Sequence, residues 1–578
     1  MNLKMCFNLL ASWTIGKSSS GADEEEFTPL QRLDQVHPLI DKICNSSGVA
    51  GASIGVIHKG NLIDTYNFGY RDVEKQLPTT SDTVYGIGSV TKSFVAAGIA
   101  KLVEQGKLSW NMTVRQILPG FDQENPSIAD TLTIADILSH RSGLNGFGDM
   151  NLAFQGDGDM LLPRDSLFPL VKHFKQLFPI RSNWSYFVWG YALAGKIIET
   201  VTNQTLSSFI DQELLKPLHL NATTFDPDCI DPDKFAEPYA GLENGTAYHL
   251  KKRQVFKDTF FEASGGMYSN LNDILAWSGA MLNAINGKTE NEDSVIKQVR
   301  EIVSNHAAIE NPSLRERSYG YGWVRTELPG PVGLIGDNAG LWDIKESPVL
   351  GSPDQPLLMI YHQGSTVGYY TFVALFPDSD SAVVVLTNSI AVSDAADWIA
   401  RVIIKALLNL KDKNNYVKLA KKGNKRAVGN YKEMNQRIAK LRLRHCLKRR
   451  SHDLSSFVGT YNSRTKPFHI EIIRPDDTTS ELEFRFQGLK DQTYKLRHLC
   501  RNEFEWVLTH DEAKMRGRYG NTDYRAYVFK FEEDDNKKIV SFSWETDPGG
   551  PGVKEVFVKS NGNAMTERLS HDQVTLTI

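Results

Sequence analysis

The chain runs to 578 residues, more than one compact core can hold, and at one domain per roughly 150 residues it leaves room for about two to four. Hydrophobic residues make up 41% and charged residues 23%, the balance of a globular protein rather than a disordered or membrane-embedded one, and a net charge of −4 supplies no field that would draw nucleic acid. The five cysteines, Cys6, Cys44, Cys229, Cys446 and Cys500, are scattered and lack the close pairs of a zinc site or redox motif, so they read as buried or incidental thiols of a reducing compartment.

Residues 1–26 read as a polar, disordered leader. Its apolar run from Met5 to Ile15 is broken by Asn8, Ser12 and Thr14 and matches a signal peptide poorly. No stretch reaches the about 20 apolar residues of a transmembrane helix. Among the N-x-S/T patterns at Asn45, Asn111, Asn183, Asn203, Asn221 and Asn244, the one at Asn183 precedes the candidate site residue Tyr186 so closely that a glycan would crowd the pocket. The expected location is cytoplasmic, with secretion as the alternative.

Leu30 to Ile43 has helical spacing, and Gly51 to Ile57 and Leu62 to Phe68 are strand-like runs joined by the turn His58-Lys59-Gly60-Asn61. Thr83 to Gly88 reads as strand and turn before an apolar helix from Ser93 to Val103. Far downstream, Leu357 to Tyr361, Tyr370 to Phe376 and Ala382 to Thr387 are further strands, followed by a helix from about Asp394 to Leu410. Strands at both ends of a helical middle predict an α/β (α+β) domain over 27–410: one antiparallel sheet flanked by helices, a helical lobe of about 250 residues, and a cleft between them.

Residues 411–450 are dense in Lys and Arg and read as a basic linker with one possible helix, a membrane-surface or acidic-partner patch being the alternative. Within 451–578, the segments Phe457 to Tyr461, Phe468 to Ile473, Leu482 to Phe486, Glu503 to Leu508, Ala526 to Phe531 and Ile539 to Trp544 predict a small antiparallel all-β domain, a barrel or lipocalin-like fold or a sandwich.

The strongest chemical signal is Ser89-Val90-Thr91-Lys92, an S-x-x-K pattern between a strand-and-turn segment and an apolar helix. With Ser89 in the first helical turn, Lys92 falls on the same face, where a lysine half-buried among apolar neighbours has its pKa lowered enough to take the hydroxyl proton. The helix N-terminus favours negative charge developing at Ser89. The histidines and carboxylates lack spacing such as H-E-x-x-H, and no G-x-x-x-x-G-K-[ST] loop occurs, so neither a metal nor a cofactor is expected.

The segment Gly88-Ser89-Val90-Thr91-Lys92-Ser93-Phe94 resembles the nucleophile motif of the serine β-lactamase-related, penicillin-binding-protein-like family of esterases, transesterases and D-aminopeptidases. Further segments match in order: Leu138-Ser139-His140-Arg141-Ser142-Gly143-Leu144, Ala263-Ser264-Gly265-Gly266-Met267-Tyr268-Ser269 with Asn272-Asp273-Ile274, and Tyr319-Gly320-Tyr321-Gly322-Trp323. The family's Y-x-N element aligns on Tyr186-Phe187-Val188, with Gly190-Tyr191 fixing the register and Val188 standing where the family has asparagine. Its K-T-G or H-x-G element aligns on His362-Gln363-Gly364-Ser365.

The resemblance implies Ser89 as acylated nucleophile and Lys92 and Tyr186 as its proton-handling partners. It also implies an oxyanion hole from the amides of Ser89 and Ser365, a close backbone approach at Gly364, and His362 lining the pocket within reach of a substrate carbonyl or Tyr186. His140 is assigned a supporting role rather than that of a triad base. The expected activity is hydrolysis or acyl transfer on a small ester or amide, with water, an alcohol or an amine as acceptor. Val188 and the H-x-G form lean toward carboxylic esters, an esterase or transesterase. The alternatives are a β-lactamase or D-amino-acid peptidase type of amidase and a catalytically silent binding scaffold.

Overall fold

Helix α1 (Pro29–Ser47) starts at Thr28, which forms a reciprocal capping box with Gln31, and stops at Gly48 in the left-handed conformation. The computed structural model describes residues 27–145, 160–251, 256–288, 294–309, 315–343, 346–444, 452–476, 481–518, 522–546 and 554–560. The polar leader, Cys6 and Cys446 lie outside these; Cys44 is a buried thiol and Cys229 an exposed one.

Strands β1 (Gly51–His58) and β2 (Asn61–Asp72) form a hairpin whose two-residue turn, Lys59-Gly60, has positive φ at both positions, as the twist of such a hairpin requires. Helices α2 (Thr91–Glu104), α3 (Val188–Thr202), α4 (Glu262–Gly265) and α5 (Leu271–Ile285) belong to the long middle section, which also carries the short strand pair Val84–Gly86 with Tyr268–Asn270. The chain then returns through β3 (Leu357–Thr366), β4 (Tyr369–Phe376) and β5 (Ser381–Thr387) and ends the domain with α6 (Ala395–Leu407).

The two ends meet in one sheet. Its nine strands run Leu77–Pro78, β2, β1, β5, β4, β3, Val324–Leu328, Arg317–Tyr319, Ala307–Ala308, with Ala52 opposite Thr387 and Ser365 opposite Tyr370. Strands β4 and β5 are buried along their whole length because both faces are covered. Val383 and Val385 face α1 and α6, whereas Val384 and Leu386 face the core that holds α2 and α5. Alternation along a strand thus serves two cores, which is why these segments read as unbroken apolar runs.

The basic stretch expected as a linker forms a continuous helix, α7 (Tyr416–Arg444), that packs on both domains. Asn424 donates to the Ser46 carbonyl at 2.8 Å and accepts from Ser393, while Gly423 lets the helix lie against Ser393 and Trp398. Two turns farther on and beyond, Tyr431, Met434 and Ile438 join the core of the C-terminal domain, and Asn435 donates to the Leu508 carbonyl at 2.9 Å. The lysines and arginines occupy the outer face of an amphipathic helix.

The C-terminal domain is a closed eight-stranded antiparallel barrel of β6 (Gly459–Ser463), β7 (His469–Ile473), β8 (Leu482–Phe486), β9 (Thr493–Cys500), β10 (Glu503–Glu505), β11 (Val528–Glu533), β12 (Ile539–Glu545) and β13 (Lys554–Lys559), with α8 (His510–Met515) between β10 and β11. Strand β13 closes on β6 through Tyr461 and Lys559. Stacked and edge-on rings fill its interior, Phe542 lying 4.7 Å from Phe529 and 4.8 Å from Phe557, so the barrel has a packed core of side chains.

Candidate active site

Ser89 sits in a single 3-10 turn, Gly88–Val90, that leads directly into α2. Gly88 has φ 51°, and a Cβ there would lie 2.6 Å from the Ser365 amide nitrogen. On the facing strand, a Cβ at Gly364 would lie 2.0 Å from the Ile87 carbonyl and 3.3 Å from the Ser89 amide nitrogen. Only two glycines let turn and strand meet backbone against backbone, and the meeting brings the main chains of Ser89 and Ser365 together. Ser365 itself is exposed, at the open side.

Lys92 follows one helical turn later and is 0% exposed. Its Nζ donates to Ser89 Oγ at 2.9 Å and to the carbonyl oxygen of Ser264 in α4. Burial lowers its pKa from 10.5 to about 7. The rings of Tyr186 and Tyr191 lie 5.2 and 5.4 Å from the same nitrogen.

Tyr186 closes the third side, with its phenol beside Ser89 and its acidity suppressed by burial. It stands just ahead of α3, and both flanking amides are tied to one residue. The Ser185 N–H donates to the His140 carbonyl at 2.9 Å and the Phe187 N–H donates to His140 Nδ1 at 3.0 Å. His140 does this from the left-handed region, φ 60°, which non-glycine residues rarely adopt. Burial first, then Lys92 and His362, holds its imidazole well below 6.5, in keeping with Nδ1 as an acceptor. The adjoining loop is pinned by buried Asp136, which accepts from Arg141 at 2.8 Å and Arg181 at 2.7 Å.

Strand β3 supplies the remaining element of the site. The strand runs unbroken through the His-Gln-Gly-Ser segment, so period-two alternation turns His362 and Gly364 toward the Ser89 turn and Gln363 to the opposite face. His362 is 0% exposed, with Nδ1 hydrogen-bonded to the Gln363 carbonyl at 2.6 Å and Nε2 to the Tyr319 hydroxyl at 2.9 Å. Both ring nitrogens are thus engaged, so His362 buttresses the strand, with the Tyr186 ring 6.4 Å from its own, centroid to centroid. Burial, followed by Lys92, lowers its pKa to about 3. Gln363 donates to the buried carboxyl of Asp394 at 3.0 Å.

Reading the sequence assigned no role to Ser264 or Tyr319, although both lie in segments it singled out. The Ser264 carbonyl fixes Lys92, and its hydroxyl donates to the Val188 carbonyl at 2.8 Å, joining α4 to the start of α3. Val188, where the family has asparagine, is the first residue of α3 and half-buried. Among the described residues, two groups hold enough ligand atoms within 4.8 Å for a metal, Asp34/His37/Asp64 and Glu243/His510/Asp511. Neither includes a residue of this pocket, and each has an internal hydrogen bond, His37 to Asp64 and His510 to Asp511.

The arrangement holds a hydroxyl between an amine of lowered basicity and a phenol, beside the closely apposed main chains of Ser89 and Ser365. That set can remove a proton from Ser89 and deliver one to a leaving group.

The Beta-lactamase family profile matches residues 35–405. Protein flp of Staphylococcus aureus is 24% identical over 368 residues, which are 61% of this chain and 62% of that one. The unguisins hydrolase ungD' of Aspergillus campestris is 25% identical over 392 residues, 65% of this chain and 64% of its own. The chain thus spans less than two thirds of the length of these relatives. The solved octameric penicillin-binding protein homologue from Pyrococcus abyssi is similar in fold over 91% of this chain and 99% of its own, with TM-score 0.52 and 20% identity.

Proposed function

The chain belongs to the β-lactamase family, and from that premise we propose that it is a serine hydrolase or acyltransferase acting through a Ser89 acyl-enzyme, with a small carboxylic ester as substrate. The reading is carried by the 2.9 Å contact from Lys92 Nζ to Ser89 Oγ. Ser89 Oγ bonds to the substrate carbonyl carbon as its proton passes to neutral Lys92. The oxyanion is held by main-chain N–H groups of Ser89 and Ser365. Collapse breaks the bond between the carbonyl carbon and the alkoxy oxygen of the ester, and the departing alkoxide takes the proton held by Lys92, relayed through Tyr186. Water or an alcohol then attacks the acyl carbon and loses a proton to Lys92; the bond from that carbon to Ser89 Oγ breaks, Ser89 takes the proton from Lys92, and the acid or new ester leaves.

The ester preference rests on Val188, an apolar residue where the family carries the amide side chain of asparagine. The Aspergillus relative, named as a hydrolase, supports hydrolysis as the outcome. A fluorophosphonate should label the wild type and leave Ser89→Ala unmodified, and a panel of activated esters should turn over faster than a chromogenic lactam, with added alcohol diverting product to a new ester. Labelling that persists in Ser89→Ala would assign the nucleophile elsewhere, and a wild type that neither labels nor turns over esters would overturn the reading in favour of a binding scaffold.

A further inference from the structure

Helix α4 has two working faces. One presents the Ser264 carbonyl to Lys92 and packs Gly265 against Gly88. The other, with Glu262 and Ala263, closes a cavity of about 390 Å3 between α3 and residues 164–168. Phe168, Leu206 and Phe260 give it an apolar wall, and Arg164, Glu199 and Glu262 supply charge.

Arg164 is hydrogen-bonded to Glu199, which leaves Glu262, among the described residues, with only a long ion pair to the same guanidinium and no hydrogen bond. Glu262 is 8% exposed, its nearest cation is the Arg164 guanidinium at 3.8 Å, beyond hydrogen-bonding range, and no hydrogen bond reaches its carboxyl among the described residues. A buried carboxyl without a donor is costly unless something supplies one. Burial, opposed by Arg164 and aided by Glu199, Asp258 and Asp226, pushes its pKa up to about 7. The remaining charged groups at the wall, Asp165 and Lys196, offset each other, so the cavity as a whole favours a cation.

We propose that this cavity is a binding site for a small organic ammonium ion, its nitrogen on the Glu262 carboxylate and its apolar body against Phe168, Leu206 and Phe260. The site lies across α4 from Ser89, distinct from the acyl-transfer pocket, and an occupant would bear on the helix whose carbonyl holds Lys92.

The test is calorimetric titration of the full chain with 2-phenylethylammonium and with 2-phenylethanol, its neutral isostere, at about pH 8. The amine should bind at least about tenfold tighter than the alcohol. Glu262→Gln should erase that difference while leaving alcohol affinity within about threefold, and Leu206→Trp, which fills the cavity without touching Glu262, should weaken both probes. Lowering the pH to about 6 should weaken the amine about tenfold as Glu262 takes up its proton. Equal affinity for the two probes, no binding of the amine, a preference that survives Glu262→Gln, or binding unchanged in Leu206→Trp would overturn the proposal. The titration needs no turnover, so its result is independent of the Ser89 labelling that tests the proposed activity.

Discussion

Lys514, on helix α8 of the barrel domain, donates to the main-chain oxygen of Ala391 in the catalytic domain at 3.0 Å. It is buried, and burial lowers its pKa while the carboxyls of Asp337 and Asp394 pull it back up. Asp394 in turn accepts from Gln363, the neighbour of Gly364 on the substrate-side strand. Lys514→Met keeps the volume and removes the donor, leaving a buried carbonyl and two carboxyls short of a cation. A loss of about 1–3 kcal/mol is expected, read as a lower urea midpoint with unchanged slope.

The rate of fluorophosphonate labelling should rise with pH through about 7 and level off above it, because only neutral Lys92 accepts the Ser89 proton. Lys92→Met should flatten this profile and slow labelling by about 10²–10⁴-fold. On stability the same substitution acts in the opposite direction. The folded pKa lies below the unfolded 10.5, so between about 7 and 10.5 the unfolded chain binds more protons and stability rises with pH; below about 7 the folded state bears the whole cost of a buried ammonium. Lys92→Met should therefore melt at a higher temperature than wild type at acidic pH, by about 0.5–2 kcal/mol in free energy.

Tyr186→Phe should slow ester turnover by about 10²–10⁴-fold without altering the far-ultraviolet dichroism. His140→Ala removes the acceptor of the Phe187 N–H and should cost about 1–3 kcal/mol of stability as well as activity. Because His140 acts by positioning Tyr186, the activity losses should not add: the double variant should be about as slow as Tyr186→Phe alone. Additive losses would assign His140 a role of its own.

Gly364→Ala should be severe, since its methyl would meet the Ile87 carbonyl 2.0 Å away and backbone has nowhere to move. About 1–3 kcal/mol of destabilisation is expected together with loss of labelling, as the Ser89 turn and β3 are forced apart. Gly340→Ala, where no atom lies within 4 Å of the added methyl, is the control and should change stability by less than about 0.5 kcal/mol.

What sequence could disclose depended on where each residue's partner lay. Ser89 and Lys92 are one helical turn apart, and the two-ended sheet was legible because β4 and β5 are apolar on both faces. Strand β9 escaped notice because Lys495 and Arg497 alternate with the inward Tyr494 and Leu496. Strand β13 was hidden by a buried charge: Glu555 pairs with Lys466 at 2.7 Å from the far end of the barrel sequence. The part played by Ser264 is a main-chain carbonyl, which no side-chain pattern encodes, and the engagement of His362 depends on a tyrosine hydroxyl 43 positions away.

Helix α7 clasps both halves of the molecule along its length, and Gln487 of the barrel also reaches the Leu161 carbonyl of the helical lobe. A connector of this kind transmits torque instead of absorbing it. Access to Ser89 therefore has no swivelling gate to depend on: any widening of the entrance has to come from loop rearrangement, and heat should melt the two halves in a single calorimetric peak.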